Sequence, residues 1–268
     1  MIRPGEIQKK AQRLDVRDQQ IEKDYILSWI LQGVAQHQDL SKAIAFKGGT
    51  VLKKIYFEDY RFSEDLDFTI TADDVSNEQI FSWFNEVFEY ILDKANIPLA
   101  IVDDNEHADG GINFYIGYTG PLGGVSANKS VKIDISRSEH LIFEPILKSA
   151  ILSYSDQQEH RLLCYSLEEV LVEKLRSVIQ RMQARDLYDI WYLLEIFGMD
   201  AEYYSNDFKV KCECKDIDPA CFQAKLKQRL PQYGAQWVSS IANQINNLPH
   251  FDKVTREVMR QLKKFPIL

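Results

Sequence analysis

Apolar residues recur at helical spacing near the start of the chain: Ile21, Tyr25, Ile26, Trp29, Ile30 and Val34 share one face, and the pattern predicts helices over 8–14 and 16–36. A second long stripe, Ile80, Trp83, Phe84, Val87, Phe88, Ile91 and Leu92, predicts a helix over 76–96 that ends before Pro98 and covers a sheet. Between the two, 44–46 reads as a short buried strand and Gly48-Gly49 as a tight turn. Residues 50–57 read as a helix capped by Thr50, and 65–70 as a strand of period two. That period sets Leu66, Phe68 and Ile70 on one face and Asp65 and Asp67 on the other. Further strands are predicted at 99–102, 112–118 and 131–135, the last two joined by 119–124, and in the last Lys132, Asp134 and Ser136 oppose Val131, Ile133 and Ile135.

The polar stretch 153–160 marks a domain boundary, and 161–165 reads as a short strand or linker. From Ser166 onward the chain reads as helical. Ser166 and Glu169 form a capping box for a helix whose buried stripe is Leu171, Val172, Leu175, Val178, Ile179 and Met182, with Glu173, Arg176 and Gln180 nearer to solvent. The next helix opens with Arg185 and Asp189 spaced for an i,i+4 ion pair. A final helix over 251–265 puts Lys253, Arg256, Arg260 and Lys263/Lys264 on one face, a solvated basic surface or a track for an RNA backbone. The fold class expected is α/β (α+β), a mixed sheet with flanking helices over residues 1–158 and a helical C-terminal domain over 159–268.

Composition narrows the class. Of 268 residues, 45% are hydrophobic and 12% aromatic, enough for a sizeable core. No apolar run reaches the length of a spanning helix and residues 1–6 lack a signal peptide's apolar segment, so a cytoplasmic location is expected. Cys164, Cys212, Cys214 and Cys221 match no paired zinc spacing and read as reduced thiols. The net charge of −8 argues against indiscriminate nucleic-acid binding, yet it is unevenly spread: the last fifty residues carry 8 Lys/Arg against 2 Asp/Glu. An acidic half joined to a basic tail suits a metal-dependent enzyme with an RNA acceptor.

The candidate chemistry centres on the glycine turn and the carboxylates. A helix starting after Gly48-Gly49 presents unpaired backbone N–H groups to an anion, so a triphosphate can sit there. Asp65 and Asp67 on one face repel unless a cation lies between them, and hard oxygens beside phosphate suit Mg²⁺. Together these features suggest nucleotidyl transfer. Ser63 is placed either to touch a phosphate or metal-bound water or to cap the backbone at Asp65. Lys47, Lys53 and Lys54 are near enough along the chain to offset phosphate charge, although surface lysines are common. The segment Glu22-Lys23-Asp24-Tyr25 reads first as a charged helix flank. Lys174 and Arg181 lie along one edge of a buried stripe, where a cation either snorkels or lines a cleft. Asp186 borders an apolar face and is positioned to orient one of them.

Phe46-Lys-Gly-Gly-Thr-x-Leu, Arg61-x-Ser-Glu-Asp-Leu-Asp-Phe, Lys132-Ile-Asp-Ile and Arg185-Asp-Leu-Tyr-Asp-Ile, in this order, resemble the motifs of the AbiEii/AbiGii toxin family. That family lies within the nucleotidyltransferase superfamily, whose catalytic domain is DNA polymerase beta-like. The resemblance runs from about residue 22 to about 194. It implies a two-metal Mg²⁺ site on Asp65, Asp67 and Asp134, and a phosphate cradle of Gly48, Gly49, Thr50 and Ser63. It implies further that Lys174 and Arg181 offset charge on the nucleotide's phosphates, with Asp186 either catalytic or orienting. The activity implied is transfer from an NTP to an acceptor, foremost the tRNA 3′ end, in a toxin–antitoxin or abortive-infection phage-defence system restrained by an antitoxin. A protein hydroxyl as acceptor, or a non-catalytic nucleotide-binding or partner-binding module, are the alternatives.

Overall fold

The computed structural model describes residues 1–124 and 129–266. Two compact units divide the chain: unit 1 comprises residues 1–139 and 145–165, unit 2 residues 140–144 and 166–268. The stretch 153–160, expected to separate the domains at 158/159, lies inside unit 1. The reason is backbone pairing, because the strand directly after it hydrogen-bonds into the sheet of unit 1.

Unit 1 is built on seven strands: β1 (Ile44–Lys47), β2 (Asp65–Ile70), β3 (Leu99–Glu106), β4 (Ile112–Tyr118), β5 (Ser130–Ser136), β6 (Ile146–Ser149) and β7 (Arg161–Cys164). Their order is β3-β4-β5-β2-β1-β7-β6; the pairs β2/β5 and β1/β7 are parallel and the others antiparallel. The sheet is thus mixed, as expected, though β6 has no counterpart among the strands expected from sequence. All four β6 residues are exposed, so no alternation marks them.

Alternation decides the two faces elsewhere. Leu66, Phe68, Val131, Ile133, Ile135, Ile112, Phe114 and Ile116 are buried on one face. Helix α5 (Asn77–Ala95) packs there, with Phe84 edge-on to Phe114 at 5.0 Å and Phe81 at 5.3 Å. The Ser76 hydroxyl caps this helix by accepting from Gln79 N–H, and Asn96 ends it in the left-handed conformation. The opposite face carries the polar residues of the same strands.

Helices α1 (Pro4–Leu14), α2 (Asp18–Gln36) and the short α3 (Leu40–Ala43) precede the sheet. Helix α2 is enclosed nearly all round, and this corrects the reading of Glu22 and Asp24 as a solvated flank: both are buried. Glu22 accepts from Leu122 N–H at 2.8 Å and pairs with Lys129 at 2.9 Å. Asp24 pairs with Lys54 at 2.7 Å and accepts from Tyr154 hydroxyl at 2.8 Å, while Lys54 also donates to Ser28 Oγ at 2.7 Å. A buried charge survives only when paired and bonded in this way.

Unit 2 is helical: α6 (Leu167–Gln180), α7 (Ala184–Trp191), α8 (Ser205–Glu213), α9 (Phe222–Ile241) and α10 (Phe251–Gln261). Phe208, Phe222 and Phe265 form one aromatic cluster, with ring centroids 4.9 to 5.3 Å apart. Ser166 caps α6 through Glu169 N–H, but the capping box is half made. The Glu169 carboxylate accepts from Ile142 and Phe143 N–H at 3.0 and 2.9 Å and pairs with Lys211 at 2.5 Å, which nails the strap 140–144 to unit 2. The chain therefore crosses between units three times, at 139/140, 144/145 and 165/166. Other local expectations also shift. Arg176 is buried rather than solvated and bonds Gln180, and Met182 is 38% exposed because α6 ends before it. Arg260 is held by Glu195 at 2.6 Å, so the basic face of α10 is partly paired. All four cysteines are free; burial pushes the Cys164 thiol up to about 11 and that of Cys212 to about 12, which keeps them protonated and inert.

Candidate active site

The glycine turn comes directly off β1. Gly48 adopts φ +77, and the helix starts at Gly48 itself, α4 (Gly48–Val51), continuing through a wider turn, Leu52–Tyr56. Thr50 is therefore not the cap. It lies within the first turn, buried, and its hydroxyl donates to the Asp65 carbonyl at 2.6 Å. That bond stitches the turn to the carboxylate strand.

On β2, Asp65 and Asp67 are two residues apart and half-buried on the polar face. β5 runs parallel beside it, in a register that sets Asp67 opposite Asp134 and Asp65 opposite Lys132. The three carboxylates expected to act together thus share one face, on two adjacent strands about 4.8 Å apart. Among the described residues, however, no group of three or more His, Cys, Asp or Glu side chains is arranged to hold a metal ion. Asp134 pairs with Lys132 at 2.9 Å, and Asp67 leans over the glycine turn. Lys132 answers in kind: burial acts to lower its pKa, but the hydrogen bond and charge of Asp134, with Tyr115 and Asp65 behind, raise it on balance.

A Cβ on Gly48 would overlap the Asp67 carboxylate, and its φ is one that L side chains avoid. Gly48→Ala is accordingly expected to displace Asp67 and to lower activity at least about tenfold. Stability should fall only by the roughly 1–2 kcal/mol usual for such backbone strain, as checked by turnover and thermal denaturation on one preparation.

The neighbouring lysines are committed elsewhere. Lys47 donates to Ser136 Oγ at 2.9 Å and faces Glu139 at 3.7 Å. Lys53 bonds the Glu58 carbonyl and lies 4.8 Å over the Phe62 ring, and Lys54 belongs to Asp24. Ser63 is buried just before β2.

The late cations form a cluster within unit 2. Lys174, buried, meets Asp186 at 2.6 Å and Asp189 at 2.8 Å. Arg181 caps the end of α6 and gives Asp186 two bonds, Nε at 2.8 Å and Nη2 at 3.1 Å. Asp186 thus holds both cations, and Asp189 faces Lys174 rather than forming the ion pair with Arg185 that its spacing suggested. Burial would raise the Asp186 pKa, but Lys174 and Arg181 outweigh it and hold the carboxylate below its ordinary value. Of the two cations, Arg181, 56% exposed, is the one within reach of an outside anion.

A family model described as nucleotidyl transferase AbiEii toxin, type IV toxin–antitoxin system, matches residues 29–257. No curated protein sequence matches the chain. Among solved structures, JHP933 from Helicobacter pylori superposes with a TM-score of 0.56 at 17% identity, covering 92% of each chain. MenT4, a nucleotidyltransferase toxin from Mycobacterium tuberculosis, gives 0.55 at 17% identity, covering 99% of this chain and 100% of its own. At such identity these two speak for the fold, which the mixed sheet and flanking helices share. With glycine turn, carboxylate strands and family model in agreement, the chain belongs to the AbiEii nucleotidyltransferase toxin family and is a nucleotidyltransferase of a toxin–antitoxin system.

Proposed function

We propose that the enzyme transfers a nucleotidyl group from an NTP to the 3′ end of an RNA, foremost a tRNA, and thereby stops translation in the cytoplasm of a bacterium until a cognate antitoxin restrains it. The observation that carries this reading is the register of β2 and β5, which sets Asp134 across from Asp67 with Asp65 two residues away on the same face. This donor set, all hard oxygens at the end of a phosphate-sized turn, fits Mg²⁺. When bound, the metal supplies neutralisation of the triphosphate and a lowered pKa for the attacking hydroxyl.

The chain's own groups do the rest. Backbone N–H groups of the first helical turn after Gly48 receive phosphate oxygens, and Thr50 fixes that turn against Asp65. Asp134 takes the proton of the acceptor's hydroxyl as its oxygen bonds the α-phosphorus; the bond to the β-phosphate oxygen breaks and pyrophosphate leaves. Within unit 2, Arg181 presents an exposed guanidinium of the kind that suits a phosphate, with Asp186 and Lys174 behind it as positioning residues.

Incubation of the protein with each labelled NTP, Mg²⁺ and either total tRNA or cell protein tests the reading. Label on RNA, abolished by EDTA and by Asp65→Ala, is the expected result. Label on protein alone reverses the acceptor assignment, and growth arrest by Asp65→Ala in a bacterial host removes catalysis from the account.

A further inference from the structure

The polar face of the sheet in unit 1 continues past the carboxylates. β4 lies beyond β5 as seen from β2, and its register sets Tyr115 opposite Lys132 and Asn113 opposite Asp134. Lys132 in turn stands opposite Asp65. Tyr115 is therefore on the same face as the carboxylates, two strand spacings or about 10 Å from Asp65. Its strand mates Ile112, Phe114 and Ile116 are buried on the other face, whereas Tyr115 is 36% exposed. The only parity signal in the sequence was an aromatic residue on the polar side of an alternating strand.

Direction gives this ring a use. The glycine turn lies on the β1 side of Asp67, so the triphosphate approaches from there, and an attacking hydroxyl in line with the leaving pyrophosphate must come over β5 and β4. We propose that Tyr115 is the stacking platform for the 3′-terminal nucleobase of the RNA acceptor, with Lys132 beside it for the backbone phosphate. The proposal rests on the RNA-acceptor reading above. A π-face takes any base, and a cation next to it tracks the backbone. Asp103, exposed on β3 and in register with Tyr115, repels phosphate on the far side. The strand must therefore leave along Lys132 and not across the sheet edge.

An RNA oligonucleotide ending in 2-aminopurine, bound without NTP or Mg²⁺, reads the stack directly. Its fluorescence is expected to be quenched by the wild-type protein and by Tyr115→Phe, but not by Tyr115→Ala. In turnover, Tyr115→Ala should raise the KM for RNA about 5- to 100-fold and leave the KM for NTP unchanged, while Tyr115→Phe restores it. Both variants should melt with the wild type, since the ring packs little of the core. If the wild type labels RNA and Tyr115→Ala matches it in RNA KM and quenching, the platform is overturned alone. If the wild type labels only protein, the acceptor reading falls and takes the platform with it.

Discussion

Asp67→Asn is expected to reduce nucleotide transfer about a thousandfold or more, with the melting temperature nearly unchanged. The substitution keeps the volume and removes one negative charge, the property on which the proposed metal site would depend. Asp67 sits where the two halves of the site meet: its carboxylate leans over the Gly48 turn and its Cα is in register with Asp134. Loss of one charge-stabilising group at a phosphoryl transfer costs factors of about 10³. The residue is half-buried on the polar face, so the fold draws little from it. Initial rates of labelled incorporation at saturating Mg²⁺, beside a thermal melt, check both halves. A rate within tenfold of wild type, from a protein that melts normally, would mean that Asp65 and Asp134 suffice and that the cradle is drawn wrongly.

The largest stability effect is expected at Asp24. Asp24→Ala strands the Lys54 ammonium in the core, and breaking one partner of a buried pair costs about 3–5 kcal/mol, or roughly 10 °C of melting temperature in a chain of this size. Burial raises the Asp24 pKa, but the charge and hydrogen bond of Lys54 outweigh it and the balance is downward. Lys54 is pushed the other way, with burial lowering its pKa more than Asp24 raises it. The 2.7 Å contact, with Ser28 and Tyr154 completing the bonds, identifies a charged pair. Since the folded carboxylate lies below its ordinary value of 3.8, the pair's contribution is complete above that pH and is lost as pH falls through the lower folded value. Melting profiles between about pH 2 and 7 should show a steep acid limb that is shallower in Asp24→Ala. The double variant Asp24→Leu/Lys54→Met should recover most of the loss, because two apolar side chains leave no charge stranded.

These two residues also mark what was legible in the sequence. The carboxylate face could be read because β2 and β5 obey a period of two, so parity alone assigns Asp65, Asp67 and Asp134 to the side away from Leu66 and Ile133. Which of them stand opposite each other was not legible, since register depends on pairing between segments more than sixty residues apart. Asp24 failed for a related reason. Its helix shows one apolar stripe, but the elements around it cover the remaining sides, and the lysine that neutralises it is thirty residues away. Lys174 was half legible: the edge of the stripe and Asp186 as an orienting carboxylate could be read, whereas Asp189 could not be assigned to it because its i,i+4 spacing pointed to Arg185. The Ser166 cap was easier, because it acts on backbone three residues on, whereas Thr50 was misplaced by the helix starting two residues earlier. Even at Ser166, the Glu169 side chain was claimed by a distant strap and Lys211.

That strap, residues 140–144, has a bearing on how the gene can change. Because the polypeptide enters the helical body, leaves it and enters again, no single crossover point yields either body whole. A recombination event that joined the sheet-bearing half to a foreign helical module would orphan Glu169 and Lys211 from the peptide groups they hold. Descendants of this toxin should therefore diversify by substitution within an undivided open reading frame, not by exchange of cassettes.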